Sequence, residues 1–458
     1  MDVDKPGPYV RSTEASVPPS LQSSRYSSMV MHPLALFALI GGLVSASSSV
    51  SYNGYQVLRV TTGANSAAVL KKLSSIEYDE WNTVVNEHID IAIAPNQIGR
   101  FQTLALEYHT MHENLGVSIA SESATRSTWK RQIDDLEWYD SYHPYDDHKA
   151  YFEALHEAFP NNSEIVSSGT SFEGRDIFGI HFWGSDGPGK PAVLWHGTVH
   201  AREWIVAPVV EYLTLQLIQG YGVDNTTTAF VDNYDFWVFP FVNPDGFVYT
   251  QTTERLWRKN RQPSPTSTNS TCYGRDINRN WPYKWDANPL GASTDPCSQT
   301  YKGIQAGDTP EMEGLHKFVD TLRDTSGLKL YIDWHSYSQY FLTPVGYNCT
   351  YYIDTLGQHI KLAQLASDAI REVEGVTFTY GPSCATLYPT TGASFDYAHA
   401  VGKAQWSYLI ELRDTGEFGF VLPPEQIRGS VMEQWEGMKV ILSVLDEVFF
   451  DGDGPAAF

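Results

Sequence analysis

The feature that most restricts this chain is a junction. An apolar run, Ala192-Val-Leu-Trp195, passes through the polar connection His196-Gly-Thr-Val-His200-Ala-Arg-Glu203-Trp204 into a helical pattern of Val206, Val209, Val210, Leu213 and Leu217. A strand that feeds a helix through so short a connection is the unit of an α/β sheet, because the helix must pack back on the sheet it left. The alternation recurs, with strands expected at 177–183, 192–196, 236–242, 328–334 and 406–410 and helices at 147–158, 205–219, 311–323, 356–373 and 424–448. The expected fold is α/β, a mixed twisted sheet flanked by helices. With 458 residues, 42 % of them hydrophobic, the chain has material for a large core and one smaller domain.

The same junction carries chemistry. His200 and Glu203, three residues apart where a strand meets a helix, can turn a neutral nitrogen and an anionic oxygen towards one point, as zinc requires. So short a pattern is, in an arbitrary chain, a solvated loop, and the pair His196 and His200 at i, i+4 is a competing ligand set. Gly197, Thr198 and Val199 make a poor helical turn, which favours His196 as a strand-end neighbour. Ligands of open α/β sheets collect beyond the carboxyl ends of the strands. His335 follows the apolar run ending at Trp334 and Glu411 follows the one ending at Ile410, in the same sense. Two histidines and one carboxylate leave zinc an open position, the arrangement of a catalytic site, and a separate carboxylate is then needed as base.

A formal charge of −23 disfavours nucleic acid and anionic membrane surfaces as partners, since the long-range field repels both. Cys272, Cys297, Cys349 and Cys384 have no C-x-x-C spacing, so disulfides are expected if the chain is secreted, with three pairings open. Asn161, Asn225, Asn269 and Asn348 begin sequons. An apolar run at 33–44, too short to span a bilayer comfortably, reads as a signal-peptide core with a small-residue cleavage site at Val44-Ser45-Ala46; starts at Met29 or Met31, and a retained signal anchor, stay open. Residues 51–128 form an α+β pattern: strands at 57–60, 88–95 and 116–120 and helices at 66–75 and 98–108. It leads to the dibasic pair Lys130-Arg131, a natural processing site in a secreted chain. The expected division is 1–46 leader and signal peptide, 47–131 removable pro-domain and 132–458 catalytic domain. The turn-rich stretch 261–309 is too long for an idle connection.

From about residue 143 to 448 the chain resembles a zinc metallocarboxypeptidase of the A/B type. The motifs are H-A-R-E-W-I from His200, N-P-D-G-F from Asn243, R-L-W-R-K-N-R from Arg255, D-I-N-R-N-W from Asp276, H-S-Y-S-Q from His335 and E-L-R-D-T-G from Glu411. The pro-region resembles that family's inhibitory pro-domains in length and α+β pattern. The resemblance implies one Zn²⁺ held by His200, Glu203 and His335, with Glu411 as general base and then acid, against the bland alternative of Glu411 paired with Arg413. It implies Arg261 for the oxyanion, with a surface role in the cluster with Arg258 and Lys259 as the alternative. Asn278, Arg279 and Tyr388 match the residues that grip the substrate's C-terminal carboxylate, and Arg202, Arg258, Ser336 and Tyr337 match contacts further along the cleft. Asp276 matches the carboxylate behind the first histidine ligand, or else is a turn residue. A disulfide Cys272–Cys297 is implied, which leaves Cys349 and Cys384 for a second.

Phe395 matches the base of the specificity pocket, where an acidic residue goes with basic C-terminal residues and an apolar one with aromatic or aliphatic residues. Burying Lys or Arg there without a counter-ion costs several kcal/mol, roughly, whereas burying Phe or Leu gains about 1.5 to 3. The expected protein is a secreted, monomeric zymogen, not stably membrane-associated, cut by a processing protease and acting on peptides with a free C-terminal carboxylate. A catalytically silent peptide-binding relative would be expected to lack the base or a ligand, and here every reactive position is filled. An enzyme cutting another C-terminal bond, such as one in a cell-wall peptide, stays open, since Asn278 and Arg279 suit it too.

Overall fold

A computed structural model describes residues 49–82, 88–123, 133, 136–265 and 272–447. The leader, the dibasic pair Lys130-Arg131 and the sequon at Asn269 lie outside the described residues. A small antiparallel sheet comes first. It is built by β1 (Gln56–Thr61), α1 (Ser66–Leu73), β2 (Asp79–Glu80), β3 (His88–Ile93), α2 (Pro95–Thr103), β4 (Tyr108–His112) and α3 (Leu115–Ser123), in strand order β2-β3-β1-β4. The two-residue period of a strand explains its two faces. Leu58 and Val60 of β1 and Ile89, Ile91 and Ile93 of β3 pack with Leu73 and Phe101, whereas Val57 and Ala92 point the other way, onto Leu256, Tyr337 and Phe420.

The expected strand at 116–120 is instead α3, and the fourth strand is β4. Leu115, Ile119 and Glu122 fall at i, i+4 and i+7, one helical face that covers Tyr52 and reaches the larger body, and this outweighs the short alternation inside it. The helix expected at 98–108 begins earlier, at Pro95, where proline suits the first helical turn, and ends at Thr103.

The larger body holds an eight-stranded mixed sheet. In chain order its elements are α4 (Tyr145–Ala158), β5 (Ser163–Thr170), β6 (Asp176–Phe182), β7 (Ala192–Gly197), α5 (Val206–Gly220), α6 (Asn225–Asn233), β8 (Asp235–Phe239) and α7 (Pro244–Thr252). There follow α8 (Pro310–Asp324), β9 (Leu328–Ser336), β10 (Tyr340–Thr343), α9 (Leu356–Glu374), β11 (Thr379–Pro382), α10 (Ser383–Thr386), α11 (Ser394–Ala400), β12 (Trp406–Leu412) and α12 (Ile427–Ser443). The strand order is β11-β10-β12-β9-β7-β8-β6-β5, with β12, β9, β7 and β8 parallel to one another at the centre. β8 stops at Phe239 rather than 242 because Pro240 has no N–H for the ladder.

One face of the sheet packs Val193, Trp195, Ile332 and Ile410 against α4, α5, α9 and α12; the other packs Leu194, Tyr331 and Leu409 against α8 and α11. Helix starts follow capping chemistry. Asn243 accepts from Gly246 N with Pro244 at the first turn, and Thr309 accepts from Met312 N ahead of Pro310. Among its described residues the stretch 261–309 holds no long element; Cys272–Cys297 bridges it, and Arg275 and Asn280 both bond Asp308 within it. Among the described residues no helix is long and apolar enough to cross a membrane.

Candidate metal centre and cleft

The parallel centre of the sheet sends three chain segments to one place. After β7 the chain turns through Gly197, where a Cβ would lie 2.3 Å from Val206 Cγ1, so only glycine lets the connection lie against α5. Asn243 holds that connection by donating Nδ2–H to Val199 O and Lys259 O, which gives the N-P-D-G-F motif its local purpose. His200 and Glu203 sit in this connection and His335 at the end of β9. Their donor atoms lie within 4.8 Å of one another, and all three residues are buried.

The contacts are close: His200 Nδ1 to Glu203 Oε1 2.8 Å, His335 Nδ1 to Glu203 Oε2 3.0 Å, and His200 Nδ1 to His335 Nδ1 3.0 Å. Two imidazole nitrogens facing each other beside a carboxylate need a proton or a cation between them, and the donor set is the one zinc takes. The far nitrogen of His200 lies 3.1 Å from Asp276 Oδ1, which fixes the tautomer that leaves Nδ1 free to ligate. Burial alone would raise Asp276, but Arg258 and His200 hold it well below the usual carboxylate range. His196 is buried on β7 with Nε2 on Tyr331 Oη at 2.5 Å, apart from the donor cluster.

Glu411 is paired in register with His335 on the neighbouring strand, so both are delivered to the same edge of the sheet. Burial pushes its carboxyl up to about 8, with His335 and Arg258 pulling down and Glu203 and Asp333 pushing up. Arg413 does not pair with it, bonding Glu433, Glu374 and Gln426 instead.

Arg258 lines the cleft, with Nη2 2.8 Å from Asp276 Oδ2 and Nη1 3.9 Å from Glu203 Oε1. The expectation for Arg261 is corrected by this geometry. Its guanidinium carbon stacks 3.6 Å above the Tyr249 ring, 4.6 Å from Trp257 and 4.9 Å from Tyr273, with Glu173 at 3.8 Å, and it does not line the cleft. Between the two arginines, Arg258 O is bonded by Ala201 N and Asn260 N bonds Arg275 O, so the backbone is pinned and the aromatic faces take the later cation.

The cleft spans about 740 Å³, the open solvent at its mouth included. Besides the donor cluster and Arg258, the cleft is lined by Asn278, Arg279 and Tyr388 and by the buried apolar Leu342, Ala393, Phe395 and Leu409. Phe395 is 1 % exposed and is an apolar wall; Tyr388 is partly exposed, so it is not core. The second bridge, Cys349–Cys384, ties the loop after β10 to α10. Ser336 donates its N–H to Glu203 Oε2 at 3.2 Å, and Tyr337 lines the outer cleft.

The small sheet lies over that outer cleft. Trp81 and Asn82 line it, Arg202 donates to Trp81 O and stacks on Phe420, and Tyr337 donates to Asp90 Oδ2, which Arg59 also grips. Glu122 of α3 meets Arg255 through two 2.7 Å bonds, while Arg255 also bonds Arg202 O and Phe420 O. Arg202 and Tyr337 were expected at the cleft from sequence, whereas Trp81, Asn82, Asp90 and Glu122 were not, and neither was Asp333, 2.9 Å from His335 Nε2. The signal for Asp333 was its place two residues before His335, on the same face of a strand. Asn161, Asn225 and Asn348 are exposed.

Comparison with known proteins gives a consistent result. The family model described as zinc carboxypeptidase matches residues 148–437. The chain is 42 % identical over 431 residues to a metallocarboxypeptidase A-like protein of Trichophyton verrucosum (strain HKI 0517), which covers 91 % of this chain and 99 % of that one. Among solved structures it is similar to thrombin activatable fibrinolysis inhibitor, at TM-score 0.78 and 25 % identity over 86 % of this chain and 99 % of that one. It is also similar to a carboxypeptidase A from Helicoverpa armigera, at TM-score 0.75 and 26 % identity, covering 87 % and 98 %.

Proposed function

The chain belongs to the zinc carboxypeptidase family and is a metallocarboxypeptidase A-like peptidase with one zinc, and from that premise we propose that it is a secreted zymogen that removes single apolar residues from peptide C-termini. The observation that carries the reading is one cleft in which His200, Glu203 and His335 converge, lined also by Glu411, Arg258, Arg279 and the apolar Leu342, Ala393, Phe395 and Leu409. Zinc, when bound by those three residues, supplies a Lewis acid that lowers the pKa of water and polarises a carbonyl.

The chain's own groups do the rest. Glu411, in register with His335, takes a proton from the attacking water and delivers it to the leaving amine. Arg258 stabilises the oxyanion, its guanidinium fixed by Asp276 and facing the metal-side carboxylate. Arg279, Asn278 and Tyr388 hold the substrate's terminal carboxylate, an anion that an internal peptide bond lacks, and this makes the enzyme an exopeptidase. The departing side chain fits among Leu342, Leu409, Ala393 and Phe395, where no charge awaits a Lys or Arg. Arg202, Ser336 and Tyr337 contact the residues before the cut.

Latency follows from the small sheet: with Trp81 and Asn82 in the outer cleft and Arg202 and Tyr337 engaged, a peptide cannot lie there until residues 47–131 leave. Cutting after Arg131 releases them. Two disulfides and exposed sequons support secretion. The test is to incubate intact and processed chain with matched peptides ending in a free carboxylate or an amide. Release of one C-terminal residue by the processed chain alone, from the free acid alone, is expected; equal cutting of the amide sinks the exopeptidase assignment, and equal rates before and after processing sink latency.

A further inference from the structure

We propose that Asp333 is a positioning residue that serves both ends of the reaction, orienting the zinc ligand His335 through one carboxylate oxygen and the carboxylate-gripping Asn278 through the other. The inference rests on the zinc site described above and adds to it a residue that lies beyond the cleft lining, fully buried on β9.

The geometry leaves His335 one partner. If Nδ1 faces the zinc, Nε2 carries the proton and needs an acceptor. Two groups lie within reach: Asn278 Nδ2 at 3.0 Å and Asp333 Oδ1 at 2.9 Å. The Asn278 amide does not accept from the ring, because its Oδ1 is turned to Ser394 N at 2.8 Å and the atom it presents to the ring, Nδ2, is a donor. Asp333 Oδ1 is the acceptor left over: it lies 2.9 Å from Nε2, off the line of a formed hydrogen bond, no other donor satisfies it, and His196 Nδ1, the next nearest group, is 3.4 Å away. A buried carboxylate oxygen left facing a ring nitrogen in this way is what a ligating histidine requires behind it.

The other oxygen does different work. Asp333 Oδ2 accepts from Asn278 Nδ2 at 3.0 Å and from the Ser394 hydroxyl. Ser394 starts α11, the helix that carries Phe395. One side chain therefore links the metal ligand, the grip on the terminal carboxylate and the helix at the base of the pocket. A carboxylate present only for packing would be satisfied at Oδ2 and would gain nothing from presenting Oδ1 to His335.

The experiment uses the processed holoprotein as wild type, Asp333→Asn, Ser394→Ala and His335→Ala. Zinc retention is measured by competition with a chelator, the visible spectrum is recorded after cobalt substitution, and kcat and KM are measured on one peptide. Asp333→Asn is expected to weaken zinc about 10- to 100-fold, to alter the cobalt absorption and to raise KM separately from kcat, because the charge behind both His335 and Asn278 is gone. Ser394→Ala, which removes one support of Asp333 and leaves the ligands intact, should weaken zinc in the same direction by less, and it decides the matter if Asp333→Asn does not fold. Wild-type zinc affinity and cobalt spectrum in both overturn the proposal. Full zinc retention by His335→Ala would instead overturn the underlying site assignment, whatever Asp333 does.

Discussion

Replacing Glu122 by Gln should loosen the hold of residues 47–131 on the cleft once the chain has been cut. Glu122 and Arg255 have side chains only 1 % and 4 % exposed and meet fork to fork. Arg255 is set in place for this meeting by Arg202 O, Phe420 O and the face of Trp204, 3.8 Å away. Both ions are hydrated when the pieces separate, so the pair does not contribute its full Coulomb energy to association. What the substitution adds is a buried guanidinium with its best acceptor gone. Truncating one member of such a pair costs about 2 to 5 kcal/mol, which is about 30- to 4,000-fold in dissociation constant. The assay is serial dilution of chain cleaved after Arg131, reading the concentration at which peptidase activity appears. Glu113→Ala is the control, since Glu113 makes an exposed bond to Gln56 on the same small sheet, and it should move the midpoint by roughly twofold at most. If Glu122→Gln shifts the midpoint no further than this control, Arg255 is not what fastens the small sheet.

The remaining expectations concern the cleft. Glu411→Gln should keep zinc and lower kcat about 10²- to 10⁴-fold, and near-normal turnover would remove Glu411 as base. Arg258→Ala should cost about 10²- to 10³-fold in kcat, whereas Arg261→Ala should leave kcat nearly intact and act on stability through its aromatic stack; the reverse ranking would reinstate Arg261 at the oxyanion. Phe395→Asp should move kcat/KM towards peptides ending in Lys or Arg, and no movement would mean that the pocket is read elsewhere. Asp396, beside it, is buried, and burial pushes its carboxyl up to about 7 against the pull of the Gly346 and Tyr347 N–H groups. Because the folded value is the raised one, its contribution is fully present below about pH 4 and is lost as pH rises through 7, on the order of 4 kcal/mol. Asp396→Asn should therefore be the more stable protein at pH 8 and equal to wild type at pH 4 in urea unfolding, and parallel curves for the two would refute this.

The sheet and its metal-side chemistry were legible because they are local. A strand-end His followed three residues later by Glu reads as ligands, and His335 and Glu411 each close an apolar run whose length marks a strand. Arg261 was misplaced because two arginines three residues apart look equivalent in a sequence. The difference lies in Tyr249, Trp257 and Tyr273, which only the fold gathers around the later one. β10 and β11, four residues each, are too short for a periodic signal and exist through their neighbours' hydrogen bonds. In the small sheet, the alternation at 116–120 lost to a helical face whose anchors, Leu115 and Glu122, lie just outside that window. The partners of Tyr337 and Arg255 were invisible for a related reason: Asp90 and Glu122 sit 247 and 133 residues away, and nothing in either segment announces the other.

The pairing of Glu411 with His335 has a consequence for anyone who would rebuild this site elsewhere. Glu411 and His335 sit opposite each other on two parallel strands, as do Leu412 and Ser336 one step on, so the spacing of the two groups is a pitch of the backbone ladder and not a property of any loop. A slip of one residue would bring Leu412 level with His335 and turn Glu411 to the other side, removing the site in a single step while every side chain remained present. The ladder thus works as a ruler with one setting. Loops around it can be lengthened, shortened or exchanged to vary the substrate, but β9 and β12 would have to be transplanted together, as one ribbon.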